Sequence, residues 1–158
     1  MSFDARTEKN LATLDPVAQI KFRPFIQAAK EHAESQGYEY ILISGNRTWK
    51  EQDAIYAQGR TKPGKIVTNA KGGQSNHNFG VAGDFGVFKN GKYLDDSSPS
   101  LADKFHKEIG KIAKDYGIEW GGDWKTSKDY PHFEVTTGMS LAEKRAAYSK
   151  YGSIFKLS

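Results

Sequence analysis

Four histidines, His32, His77, His106 and His132, are the only imidazoles in a 158-residue chain that contains no cysteine. Any transition-metal site must therefore be built from His and carboxylate ligands. His77 lies in Gly72-Gly73-Gln74-Ser75-Asn76-His77-Asn78-Phe79-Gly80, a segment too rich in glycine to exist for packing. Asp84 follows inside the apolar run Val81-Ala82-Gly83-Asp84-Phe85-Gly86-Val87-Phe88. A carboxylate there must be paired, hydrogen-bonded or metal-bound, because burying a bare one costs several kcal/mol. Seven residues of straight strand would hold His77 and Asp84 roughly 23 Å apart. Sharing one ion requires a reversal, which Asn78-Phe79-Gly80 can supply, with Gly80 free to take positive φ. His132 would complete a His/Asp/His set, and three N/O ligands with an open fourth position describe catalytic rather than structural zinc. Asp129 stands three residues earlier, and Pro131 keeps the intervening Tyr130 out of helical geometry. Such a loop could set the carboxylate to take a proton from water and pass it to a leaving amine. The residue types alone leave plainer readings open: a buried Asp–His hydrogen-bonded pair, or no special site, with Asp129 a turn or cap residue. His32 and His106 fall in amphipathic helical patterns among Lys and Glu, and are expected to be ordinary surface or boundary residues.

The elements that must position these residues are legible in outline. Asp15-Pro16 is an N-cap acceptor followed by proline at the first helical position, with Val17, Ile20, Phe25, Ala28 and Ala29 at helical spacing and Gly37 as terminator. Tyr38 to Ser44 reads as a buried strand ending at Gly45. Thr48-x-x-Glu51 is a capping box for a helix to about Gly59, and residues 60–73 read as a long loop. Val81 to Phe88 is a second strand, and Asn90-Gly91 a hairpin turn before Lys92-Tyr93-Leu94. Ser100 is expected to cap a helix that carries Leu101, Phe105, Ile109 and Ile112 and ends at Gly117. Gly121-Gly122 marks a turn, His132 to Val135 a short strand, and Ser140-x-x-Glu143 the cap of a final helix. Without regular βαβ alternation, the fold class is α+β around a small central antiparallel sheet with flanking helices.

Composition narrows the partners. Hydrophobic residues make up 37% and charged residues 27%, with a mean hydropathy of −0.68. No apolar run approaches the ~20 residues that cross a bilayer, and the first residues lack the apolar core of a secretory signal. Phosphate-loop, dinucleotide, GxSxG and HExxH motifs are absent. The triplets that begin at His106 and His132 are of H-x-E type, but a zinc deaminase also needs cysteines. A net charge of +4 favours anionic partners, though no clustered basic stripe supports nucleic-acid binding. Asp95-Asp96 reads as a solvated loop. One domain is expected across residues 1–158.

Ser75-x-His77-x-x-Gly80-x-Ala82-x-Asp84 resembles the SxHxxGxAxD signature of the zinc D-Ala-D-Ala carboxypeptidase, or VanY-like, peptidases, and Asp129-x-Pro131-His132-Phe133 resembles their second motif. The likeness is strongest to the L-alanyl-D-glutamate endopeptidase branch, which includes phage endolysins. It extends through Ser44-Gly45-Asn46-Arg47-Thr48 with Glu51-Gln52, Tyr56 to Gly64, and Trp120-Gly121-Gly122-Asp123-Trp124, from about Tyr40 to Glu134. The resemblance implies a VanY/hedgehog-like fold, Zn2+ held by His77, Asp84 and His132, Asp129 as base and Arg47 as oxyanion donor. It further implies substrate contacts from Ser75 and Gln52, with Trp120 and Trp124 walling the groove. Gly83 departs from the family pattern, where a β-branched residue is commoner, and is expected to loosen its strand. The implied function is cleavage of the L-Ala–D-Glu bond of peptidoglycan by a monomeric lysin. Such an enzyme would have no wall-binding module, nucleic-acid partner or membrane insertion, and would leave the host cytoplasm for the cell wall through a holin pore. The alternatives are a D,D-carboxypeptidase or dipeptidase with the same site, and an inert zinc-bearing wall-binding domain.

Overall fold

The computed structural model describes residues 2–155. Their helices are α1 (Ala5–Leu11), α2 (Pro16–Glu34), α3 (Trp49–Ala57), α4 (Leu94–Ser97), α5 (Pro99–Ala113) and α6 (Leu141–Tyr151). The strands are β1 (Glu39–Ser44), β2 (Ala82–Lys89), β3 (Lys92–Tyr93), β4 (Ile118–Trp120) and β5 (His132–Val135). All pairings are antiparallel, in the order β1-β2-β5-β4, with β3 beside the end of β2. This is the α+β arrangement expected from the sequence.

Side-chain alternation along the strands divides the sheet into a packing face and a chemical face. Opposed pairs place Leu42 across from Phe85, Tyr40 across from Val87, and Phe133 across from Gly83. These side chains meet α2, where Phe25 lies 5.8 Å from Phe85 and 5.1 Å from Phe133, ring centre to ring centre. On the other face Asp84 opposes His132, and Ala82 opposes Glu134. A one-residue slip would bury the Asp84 carboxylate among phenylalanines, so the core fixes the register that the site needs.

Several local signals act as their chemistry dictates. Asp15, Thr48 and Ser140 cap α2, α3 and α6, the last two as full capping boxes. Asn90 and Gly91 both have positive φ, as the two-residue hairpin requires. Gly83 allows close strand packing: a Cβ there would lie 2.6 Å from Leu42 Cδ1 and 3.1 Å from Ser44 O, so a larger residue would require Leu42 to turn aside and β1 to give by a few tenths of an ångström.

Other expectations are corrected. Ser98, not Ser100, precedes α5, and Pro99 opens it. Ile20 is 73% exposed rather than core, because α2 turns that position to solvent. His106 is fully buried, with Nδ1 2.6 Å from the Tyr40 hydroxyl and Nε2 2.6 Å from Asp95 Oδ2. Asp95 also accepts from Val87 N at 2.8 Å, so it belongs to a buried polar trio, not a solvated loop. Helix α1 and strand β4 are additions. The free edge of β1 is covered by α1: Thr7 Oγ1 accepts from Leu42 N at 3.1 Å, and Asn10 donates to Leu42 O at 2.8 Å.

Candidate metal centre and its cleft

The reversal between His77 and Asp84 is a single 3-10 turn, Asn76–Asn78, followed by Gly80 at φ +71°. Ser75 caps the turn, its Oγ accepting from His77 N at 3.2 Å, while Asn78 Oδ1 accepts from Gly73 N and Ser75 N. Arg47 N donates to His77 O at 2.7 Å, which ties the turn to the segment after β1. His77 is thereby folded back over the start of β2. His132 is brought in by strand pairing, directly opposite Asp84.

The three side chains converge. His77 Nε2 and His132 Nδ1 are 3.2 Å apart, and Asp84 Oδ1 lies 3.4 Å from the first and 3.5 Å from the second. That oxygen is buried and has no hydrogen-bond partner. A buried, unsatisfied carboxylate oxygen facing two imidazole nitrogens is costly unless something electropositive sits among them. Bonds of 2.0–2.2 Å in a tetrahedron put neighbouring donors roughly 3.3–3.6 Å apart. The triangle of 3.2, 3.4 and 3.5 Å matches that spacing, so the donor set fits zinc with one position left open.

Electrostatics follow from this crowding. Burial works against the Asp84 carboxylate, but the two histidines outweigh it and hold its pKa well below the usual range. For His132, burial disfavours the charged ring, yet Asp84 and Glu134 raise its pKa to about 9. Asp129 moves the other way, its pKa raised by burial and then by the nearby Asp84 charge.

Arg47, Ser75, His77, Asp84 and Asp129 line one cleft of about 470 Å³, together with Ile55, Val67 and Thr68. Two expected substrate contacts are placed elsewhere. Gln52 is fully buried: its Oε1 accepts from Arg47 at 2.7 Å, and its amide donates to Ala70 O at 2.8 Å. It therefore positions Arg47 and the cleft wall rather than meeting a ligand. Trp120 is 8% exposed, stacks on Tyr130 and donates to Tyr130 O at 2.7 Å, so it supports the loop behind Asp129. Trp124 remains beside the site, its ring centre 4.9 Å from that of His132. Glu134, which sequence reasoning did not single out, is 2.7 Å from His132 Nε2. Its signal was present: residues 132 and 134 of one strand share a face.

Two imidazoles and a carboxylate that converge beside a cleft holding a half-buried second carboxylate and a guanidinium are a residue set suited to a metal-dependent hydrolase. Comparison with known proteins agrees. A family model described as D-alanyl-D-alanine carboxypeptidase, of the M15 peptidases, matches residues 68–135. The chain is 46% identical over 114 residues to the peptidoglycan L-alanyl-D-glutamate endopeptidase CwlK of Bacillus subtilis (strain 168), covering 68% of this chain and 67% of that protein. It is 34% identical over 102 residues to the L-alanyl-D-glutamate peptidase of Listeria phage A118, covering 65% of this chain but only 32% of the phage protein. In fold it is similar to the vancomycin resistance D,D-pentapeptidase VanY solved with Zn(II), with a TM-score of 0.52, 16% identity, and 89% and 80% of the two chains covered. The chain belongs to the M15 peptidase family.

Proposed function

We propose that this peptidase hydrolyses the L-alanyl-D-glutamate bond of peptidoglycan stem peptides with Zn2+ held by His77, Asp84 and His132. The observation that carries the metal is the triangle of donors around the unpartnered Asp84 Oδ1. The bond is supported by the two relatives named for it, the bacterial one at 46% identity. When bound, zinc supplies Lewis acidity that polarises the scissile carbonyl and makes an attacking water more acidic.

The chain's own residues do the rest. A carboxylate oxygen of Asp129, which shares the cleft with His77 and Asp84, takes the water's proton and returns it to the leaving amine. The raised pKa of Asp129 makes it a better proton acceptor than an exposed aspartate. Arg47 donates to the oxyanion as charge develops, and Gln52 holds the guanidinium before substrate arrives. Preorganised donors of this kind are worth about 10²–10³ in rate. Ser75 and Trp124 border the peptide's path. The phage relative supports a role in host lysis, in which the enzyme is made in the host cytoplasm and released to the wall.

Digestion of purified sacculi with mass spectrometry of the products tests the bond. Fragments with a new D-Glu amino terminus are expected. Release of free D-Ala would establish the D,D-carboxypeptidase reading that the family description favours. Binding to sacculi with no product would leave a wall-binding domain.

A further inference from the structure

His132 has a second neighbour on the side of its ring away from Asp84. Its Nε2 donates to Glu134 Oε1 at 2.7 Å. Glu134 is held in turn: Asn76 Nδ2 donates to the same oxygen at 3.0 Å, and Lys144 Nζ lies 3.8 Å from Oε2. Lys144 closes the ring by donating to Asn76 Oδ1 at 2.6 Å. Glu134 is 4% and Lys144 3% exposed. A lysine this buried on a terminal helix is expensive unless its charge is engaged, and its partners here are one neighbour of each histidine ligand. Asn76 adjoins His77 in the 3-10 turn, and Glu134 contacts His132. Helix α6 lies outside the residues matched by the family model. It is nonetheless fixed over the site by Arg145, which donates to Gly73 O at 3.0 Å, and by Tyr148, stacked on Trp49.

We propose that Lys144, Asn76 and Glu134 form a clamp through which α6 sets the orientation of His132 and the approach of the His77 turn, and so determines metal affinity. The inference rests on the zinc peptidase reading. A carboxylate that accepts from Nε2–H keeps the Nδ1 lone pair directed at the ion. Lys144 holds that carboxylate in place, while Asn76 links the two ligand-bearing segments. These are positioning residues, since none of them lines the cleft.

The test measures zinc affinity of the apoprotein by competition with a chromophoric chelator, together with the visible spectrum of the cobalt-substituted protein. Glu134→Gln, which keeps the side-chain shape, and Lys144→Met should each weaken zinc binding about 10- to 100-fold and alter the cobalt spectrum. The double variant should be little weaker than Glu134→Gln alone, because both act through one contact. Ser140→Ala removes the α6 cap without touching the clamp. It should lower the melting temperature and leave zinc affinity unchanged. Wild-type affinity and spectra in both clamp variants would overturn the proposal and leave the peptidase reading intact. Equal zinc loss in Ser140→Ala and Lys144→Met would overturn it in favour of general loosening of α6. Failure of the wild type to bind zinc would overturn both readings.

Discussion

Replacing Gly121 by alanine should disable Asp129 while leaving the metal ligands in place. Gly121 closes the loop that carries Asp129, the proposed base: its carbonyl accepts from Trp124 N at 3.3 Å and from Asp129 N at 3.1 Å. A Cβ at this position would overlap the Asp129 carbonyl oxygen and stand 3.2 Å from Asp129 Cβ and 3.1 Å from His132 Cβ. Carbon atoms rest comfortably at about 3.5–4.0 Å. The two Cβ contacts therefore each need roughly half an ångström of relief, and the carbonyl oxygen needs roughly 1 Å. His132 is fixed in β5 between two strands, so the loop bearing Asp129 must give way. Overpacking of this kind costs on the order of 1–3 kcal/mol of stability. Moving a proton-transfer group by about 1 Å costs about 100-fold in rate. The assay is the initial rate of fragment release from sacculi, with zinc content and melting temperature measured on the same preparations. The expected variant is folded, slightly less stable, zinc-replete and about 100-fold slower. A Gly121→Ala protein with wild-type rate and zinc content would refute the claim that Asp129's placement through this loop matters.

Gln52→Leu removes the anchor of Arg47 without opening the core, and should lower turnover about 10-fold or more with zinc binding unchanged; an unaltered rate would mean Arg47 orients itself. Zinc uptake at pH 7 should release about one proton, because His132 in the apoprotein holds one up to about pH 9. Zinc affinity should therefore fall as pH is lowered from 9. Titration calorimetry in buffers of differing ionisation enthalpy reads the proton directly, and zero release would contradict a His132 held protonated at pH 7 by Asp84 and Glu134. Phe25→Ala, at the centre of the aromatic cluster behind β2 and β5, should cost about 3–5 kcal/mol and lower the melting temperature on the order of 10 °C. A shift of only a degree or two would show that the core tolerates the cavity.

Much of this site was legible because its signals are local. A glycine-flanked turn, an aspartate inside an apolar strand and a Pro-His pair each carry their meaning within a few residues, and the caps at Asp15, Thr48 and Ser140 do likewise. What escaped depends on tertiary placement. Seven-residue α1 has too few turns to show a periodicity, and exists because β1 needs its edge covered. His106 and Asp95 are ordinary helix residues until the fold sets the His106 ring between the Tyr40 hydroxyl and the Asp95 carboxylate. Gln52 and Trp120 sit in motifs that suggest contact with ligand, yet both face inward and hold up the residues that line the cleft. Glu134 could have been read from strand alternation. Lys144 could not, since nothing in the sequence of α6 announces that one of its lysines is buried against Glu134, the neighbour of His132.

In the proposed mechanism a metal bound by His77, Asp84 and His132 works with Asp129 as proton carrier. The most direct measurement compares zinc-loaded wild type with Asp129→Ala on purified sacculi, with zinc stoichiometry determined for both. Equal zinc content with product release only by the wild type, abolished by chelation and restored by zinc, is the expected result. An Asp129→Ala enzyme as fast as wild type, or a wild type that stays fully active after its metal is stripped, would contradict the account.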